Sequence, residues 1–174
     1  MVTITISGTP GSGKSTVASL LGRTLGLKYV YAGEIFREVA KKHQMSLAEF
    51  GKYCERNQEI DEQLDAHQLN VLRKGNVILE GRIAGWIAHR NNIPAVKVLL
   101  DADVDTRAHR IVNREKGAVK TRKQEILKRE QSEATRYQNY YHIDLKDTSI
   151  YDVVIDTADK TPEKIVEIII RSIR

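Results

Sequence analysis

Residues 7–16 read SGTPGSGKST, directly behind the apolar alternation Val2, Ile4, Ile6. Gly8, Gly13, Lys14 and Ser15 hold the fixed places of G-x-x-x-x-G-K-[ST], the pattern of a phosphate-binding loop. The residue types suit the task. Glycines let successive backbone N–H groups turn inward as an anion nest. Lys14 adds a full charge that reaches the outer phosphates, and the Ser15 hydroxyl is placed to ligand Mg²⁺. The context also fits: Val17, Leu20, Leu21 and Leu25 keep a 3.6-residue period behind the loop, and Gly26 stops it as a helix C-terminal glycine does. A Gly-rich turn with an incidental lysine would not need that flanking strand and helix.

Outward from this stretch, the chain alternates strand and helix. Lys28–Tyr31 predicts a short strand, followed by helices over 34–42, from the capping box Ser46-Leu-Ala-Glu49 to about Arg56, and over 59–73 with a stop at Gly75. Continuous apolar runs predict strands over 76–80 and 96–101. Asp103 can cap a helix through Lys116, Thr121 a long one to about Tyr141, and 152–156 supplies a last strand. Thr161-Pro162 then opens a helix carrying Ile165, Ile169 and Ile173. Short apolar strands separated by helices point to an α/β fold, a five-stranded parallel sheet with helices on both faces in the P-loop NTPase manner. Two stretches break the rhythm: 33–75, with three helices between consecutive strands, and 117–128, between two basic helices. Such insertions sit past the carboxyl ends of strands, where ligands bind in open α/β folds.

Composition bounds the rest. The 174 residues, 41% of them apolar, suit one domain with a real core. No apolar run approaches the ~20 residues of a membrane span and no leader pattern precedes the first strand, so a soluble, cytoplasmic protein is expected. The single cysteine, Cys54, excludes an internal disulfide. Five scattered histidines lack the spacing of a zinc site. The formal charge of +5 has one source: residues 107–136 carry ten Lys or Arg against four Glu. No aromatics interleave with them as in a single-strand nucleic-acid platform, so nucleic acid is not the expected partner, although an ATP-using RNA-binding module is the reading from another class.

Three strands end in an acid, at Glu80, Asp101 and Asp156. Only a strand beside the phosphate-loop strand can steady a loop-bound metal, and the residues alone leave the choice open. Arginines fall on helical stripes: Arg107, Arg110, Arg114 at i, i+3, i+7, and Arg129, Glu133, Arg136 at i, i+4, i+7. Moving a phosphoryl group between two phosphates needs positioning and charge neutralisation more than acid–base work, and guanidinium forks supply both.

The chain resembles the nucleoside monophosphate kinases, and among them the short archaeal cytidylate kinases. The likeness rests on GTPGSGKST, YAGEIFR at 31–37, EGRIAGW at 80–86, ADVDTRAHR at 102–110, the triplet Arg129, Glu133, Arg136, and IDT at 155–157. It implies a single domain with core 1–32, 76–116 and 129–174, a monophosphate-binding insertion 33–75 and a lid 117–128. It implies transfer of phosphate from ATP to CMP and dCMP with Mg²⁺, by a protein expected to be a monomer. ATP phosphates would lie on Gly8, Thr9, Pro10, Gly11, Ser12, Gly13, Lys14, Ser15 and Thr16, with Mg²⁺ on Ser15 and, through water, Glu80. The resemblance places Glu80 beside the loop strand, and carries Lys14, Arg129, Arg136 and Glu80 over as catalytic. Gly33, Arg37, Asp61, Gly81, Arg82, Arg107, Arg110 and Glu133 would face CMP. Glu stands at 80 and 133 where many relatives carry Asp. Asp65 joins Asp61 as a candidate for ribose or base, whereas Trp86, Tyr140, Tyr141, Gly51 and Cys54 read as packing residues. The nearest rival is an adenylate-kinase-like NTPase acting on AMP or in ribosome maturation, which shares the GTPG loop. A GTPase is disfavoured because no N-K-x-D element occurs.

Overall fold

In the computed structural model, which describes residues 2–173, strand β1 (Ile4–Gly8) is buried along its whole length. It lies at the centre of a five-stranded sheet with β2 (Lys28–Tyr31), β3 (Val77–Glu80), β4 (Val96–Asp101) and β5 (Val153–Asp156), in the order β2-β3-β1-β4-β5. Every pairing is parallel. Ile6 is registered with Glu80, so β3 flanks the phosphate-loop strand and Asp156 lies two strands away from it. Parallel strands covered on both faces need unbroken apolar runs, which is why VILE and VKVLLD read as they do.

The two faces carry separate cores. Helices α1 (Lys14–Leu25) and α8 (Pro162–Ile173) cover one, packing Val17, Leu21, Ile165 and Ile169 onto Ile4, Ile78 and Val98. The other holds Leu72, Ile83, Trp86 and Tyr137, from α4 (Gln58–Lys74), α5 (Ala84–Arg90) and α7 (Val119–Tyr141). A third cluster of Ala40, Phe50 and Cys54 joins α2 (Ala32–Lys42) to α3 (Leu47–Cys54). Helix α6 (Val104–Glu115) packs against α7. Residues 1 and 174 of the expected domain lie outside the described residues.

The caps form where their chemistry allows. Ser46 and Glu49 make the reciprocal capping box, and Asp103 accepts the Thr106 N–H at 2.8 Å. Three expectations shift. Helix α2 follows β2 without a break, starting at Ala32 rather than 34. The short helix α5 goes unread in the sequence, because its Gly85 argues for a turn. That glycine is instead a packing device: a Cβ there would sit 2.6 Å from the Tyr151 ring. The third shift concerns 117–128. Helix α7 begins at Val119, not at a Thr121 cap, so most of that stretch is the first half of one 23-residue helix. Any movement of it is coupled to Arg129, Glu133 and Arg136 further along the same rod.

Candidate active site

The phosphate loop is shaped by close approach. A Cβ on Gly8 would lie 2.0 Å from the Leu100 carbonyl oxygen, so only glycine fits beside β4. Gly13 takes φ 92 as the N-cap of α1 and offers no side-chain acceptor to the first turn. The N–H groups that open α1 therefore have no capping side chain, and together with the helix dipole they make a ready anion site.

Lys14 curls across the loop, its Nζ donating to the Thr9 carbonyl at 2.8 Å. Burial depresses its pKa to about 8, with Glu80 opposing and Arg82 and Arg129 reinforcing. The ammonium shares one electrostatic neighbourhood with Glu80, Arg82, Arg129 and Glu133, drawn from β3, the turn after it and α7.

Glu80 is 1% exposed at the end of β3. One carboxylate oxygen accepts from the Ser15 hydroxyl at 2.9 Å and the other from Tyr29 Oη at 2.5 Å. This hydroxyl and carboxylate, adjacent and both oxygen donors, fit Mg²⁺, which is usually held by one or two such protein groups with waters and substrate phosphates supplying the rest. Asp101 and Asp156 are turn residues: Asp101 accepts from Thr9 Oγ1 and from its neighbour Ala102 N, and Asp156 from Ala158 N at 2.9 Å.

Across from the loop, one buried carboxylate grips two arginines. Glu133 accepts from Arg82 Nε at 2.7 Å through one oxygen and from Arg129 Nε at 2.8 Å through the other. Burial alone would raise its pKa, but Arg129 and Arg82 outweigh it and hold the group down to about 2. Both arginines are anchored through Nε, and among the described residues their terminal nitrogens make no hydrogen bond. Each thus presents its Nη pair, the fork that matches phosphate oxygens.

Arg136, one helical turn further, behaves differently. It is 4% exposed, donates through Nη1 to both oxygens of Asp61 at 2.7 and 3.0 Å, and lies between Phe36 and Tyr137 with ring centroids at 5.6 and 5.5 Å. It ties α7 to α4 and α2. Asp61 is thereby an ion-pair partner of Arg136, and burial raises its pKa against that pairing. Arg37 is exposed, stands 5.7 Å from the Tyr31 ring centroid and enters no ion pair among the described residues. Gly33, in the first turn of α2, and Gly81, in the turn after β3, are crowded positions: a Cβ on either would come within 2.5 Å of the Tyr31 ring or the Gln68 amide oxygen respectively.

Arg107 and Arg110, expected on the acceptor nucleotide, are engaged with protein groups next to the phosphate loop. Arg107 is buried, donating to the carbonyls of Ala102 at 2.8 Å and Pro10 at 3.2 Å and to Glu130 at 2.7 Å. It props up the phosphate loop from behind. Arg110 donates to Thr157 Oγ1 at 2.8 Å and to the Thr157 carbonyl at 2.6 Å, while that hydroxyl lies 3.0 Å from the Ser12 carbonyl. The spacing i, i+3 puts both on one face of α6, and the packing of α6 turns that face toward Pro10 and Thr157. Tyr29, Gln68, Glu130 and Thr157 are the contributors that sequence reasoning missed. Apart from Thr157, in the IDT stretch, no motif flags them.

This geometry matches a known group. The family model described as the cytidylate kinase-like family matches residues 3–159. The chain belongs to the cytidylate kinase-like family. It is 43% identical to a cytidylate kinase of Methanocaldococcus jannaschii over 95% of this chain and 94% of that one. It is also 43% identical to a cytidylate kinase of Pyrococcus horikoshii, over 95% of this chain and 85% of the relative. Among solved structures, an uncharacterized protein from Eubacterium ventriosum superposes with a TM-score of 0.73 at 22% identity, covering 99% of this chain and 98% of that one. Shikimate kinase from Aquifex aeolicus superposes with a TM-score of 0.58 at 20% identity, covering 99% and 96%. These likenesses show the fold. Among the described residues no helix is long and apolar enough to cross a membrane.

Proposed function

We propose that the protein transfers the γ-phosphoryl group of ATP in line to the 5′-phosphate of CMP and dCMP. The observation that carries this is the pair Arg82 and Arg129, tethered through Nε to one buried Glu133 with both guanidinium forks free, in the same electrostatic neighbourhood as Lys14. An anion donor on the loop and an anion acceptor on the forks would repel each other in water. Here Lys14, Arg82 and Arg129 would neutralise both, the main requirement of phosphoryl transfer. The acceptor phosphate has a second pKa near 6, so its attacking oxygen is already anionic at neutral pH and no side chain needs to act as base. The relatives' shared designation as cytidylate kinases supports cytosine as the base.

On this reading the backbone of 8–16 and Lys14 hold the donor phosphates, with Arg107 and Arg110 supporting the loop. Arg37 and Arg82, beside Gly33 and Gly81, hold the acceptor phosphate. Arg129 reaches the transferring group, and Arg136 with Asp61 fixes the rod that carries it. Ser15 and Glu80 would hold Mg²⁺, which when bound adds charge neutralisation across the donor phosphates. Residues 33–75 form the acceptor-binding part and the first half of α7 with the turn before it the lid.

A coupled assay of the purified protein with ATP against CMP, dCMP, UMP, AMP and shikimate tests this. CMP and dCMP are expected to turn over fastest. AMP turnover without CMP turnover would replace the substrate, and ATP hydrolysis indifferent to all acceptors would replace the activity.

A further inference from the structure

Tyr29 belongs to none of the motifs that mark the site, yet its hydroxyl donates to Glu80 Oε2 at 2.5 Å while the Ser15 hydroxyl donates to Oε1 at 2.9 Å. The sheet sets up this reach. Tyr29 on β2 is registered with Ile78 on β3, and Tyr31 with Glu80, so Tyr29 and Glu80 share a face as diagonal neighbours, a separation that an aromatic side chain can span. The ring packs against the core beneath α1, where a Cβ on Gly22 would lie 3.5 Å from the Tyr29 Cβ. Strand register and core packing thus fix the phenol, and the phenol in turn fixes the carboxylate. A glutamate needs such restraint, because its side chain is flexible and its two oxygens are equivalent acceptors. For Glu80 the two hydroxyls are the hydrogen-bond donors to its side chain among the described residues.

We propose that Tyr29 is a positioning residue for the metal site, one that occupies Oε2 so that Glu80 acts on a loop-bound Mg²⁺ through Oε1 alone, beside the Ser15 hydroxyl. The inference rests on the reading of Ser15 and Glu80 as the Mg²⁺ groups and adds a selectivity to it. A phenol O–H is a neutral donor, so it restrains the carboxylate while leaving its negative charge in place for a cation. In the same way, a serine hydroxyl that donates its proton to Oε1 keeps its own lone pairs for a metal. Mg²⁺ demands near-ideal octahedral geometry, whereas Ca²⁺ takes a carboxylate through one oxygen or through both in a flexible shell. With Oε2 held on Tyr29, the second mode is closed. The arrangement therefore favours the smaller ion. Outer hydrogen bonds of this kind orient metal-binding groups, and their loss commonly costs about 10–100-fold in metal affinity.

Calorimetric titration with ADP in EDTA, in saturating Mg²⁺ and in saturating Ca²⁺ tests this, because it separates the loop from the metal without any turnover. Tyr29→Phe keeps the ring in its packing and removes only the hydroxyl. It is expected to leave ADP binding in EDTA unchanged and to weaken it about tenfold in Mg²⁺ but less in Ca²⁺, so that the preference for Mg²⁺ narrows. In a Glu80→Ala background the same substitution is expected to have no further effect with either metal, since the carboxylate it holds is gone. Equal losses in EDTA and Mg²⁺ would make Tyr29 a packing residue and overturn the inference. An unchanged Mg²⁺ response, or a tenfold loss repeated in the absence of Glu80, would overturn it too, while the metal reading of Ser15 and Glu80 stands. If the unmodified protein binds ADP equally in EDTA and in Mg²⁺, that metal reading falls and the role of Tyr29 with it. The expected pattern in a protein that phosphorylates no CMP would remove the proposed substrate and keep Tyr29 in its role.

Discussion

The two walls of the cleft are built on opposite plans. On the proposed reading the donor wall is ten consecutive residues whose backbone N–H groups would do the binding, and its shape follows from glycine positions and the start of α1. The acceptor wall takes Arg82 from the turn after β3, Arg129 and Glu133 from α7, Asp61 from α4 and Phe36 from α2. One is a local backbone device, stable as long as its strand and helix form. The other is made of side chains whose charges are compensated only by partners distant in sequence. The same proposed role, binding a phosphate, would thus rest on local conformation on one side and on tertiary ion pairs on the other.

Substitutions should separate the plans. Lys14→Ala is expected to lower kcat by about 10³-fold or more with the thermal transition unmoved, because its loss removes charge from the transition state and no buried partner is stranded. Arg129→Ala, whose side chain is half exposed, should lose about 10³-fold in single-turnover rate. Unchanged turnover would instead favour a switch-like ATPase. Arg136→Ala is expected to cost about 3–5 kcal/mol of stability in urea unfolding, because it strands Asp61, itself 3% exposed, without its cation. A transition like that of the unmodified protein would show that the acceptor wall is no more cooperative than the loop.

Acidity sharpens the contrast within the acceptor wall. Glu133 falls to about 2 in the folded state from an ordinary 4.5, so its contribution is complete above pH ~4.5 and is lost as pH drops toward 2. Asp65 moves the other way, raised mainly by burial from 3.8 to about 7. A group that prefers its proton when folded favours the fold most below pH ~4, and that advantage fades as pH climbs to 7. Asp65→Asn should therefore be more stable than the unmodified protein at pH 8, with the difference vanishing at pH 4, as read by denaturant midpoints. The smallest effect belongs to a pair remote from both walls: Glu167→Ala, which removes exposed contacts to Lys164 and Arg171, should change stability by under ~0.5 kcal/mol.

How much was legible follows the same division. The loop, the strands and most helix ends were readable, because glycine pattern, apolar period and capping residues act over a few positions. The start of the long helix, expected at a Thr121 cap, was misplaced, since α7 begins at Val119 and its N-cap, Ala118, has no side-chain bond to announce it. That Arg107 and Arg110 would meet Pro10, Glu130 and Thr157 was not legible, and Tyr29 went unnoticed although it holds one oxygen of Glu80.

The sequence by itself determined that a glycine-bent loop would meet a helix dipole, that five short apolar runs would pair in parallel, and that Arg129, Glu133 and Arg136 would share a helix face. Tertiary structure alone decided that Glu80 stands beside Ser15, that Glu133 reaches back to Arg82 fifty-one positions away, and that Arg107 faces the donor loop. The physical reason is range. Periodicity and φ preferences are properties of neighbouring residues, whereas the partner of a buried charge is set by which helix packs over which strand.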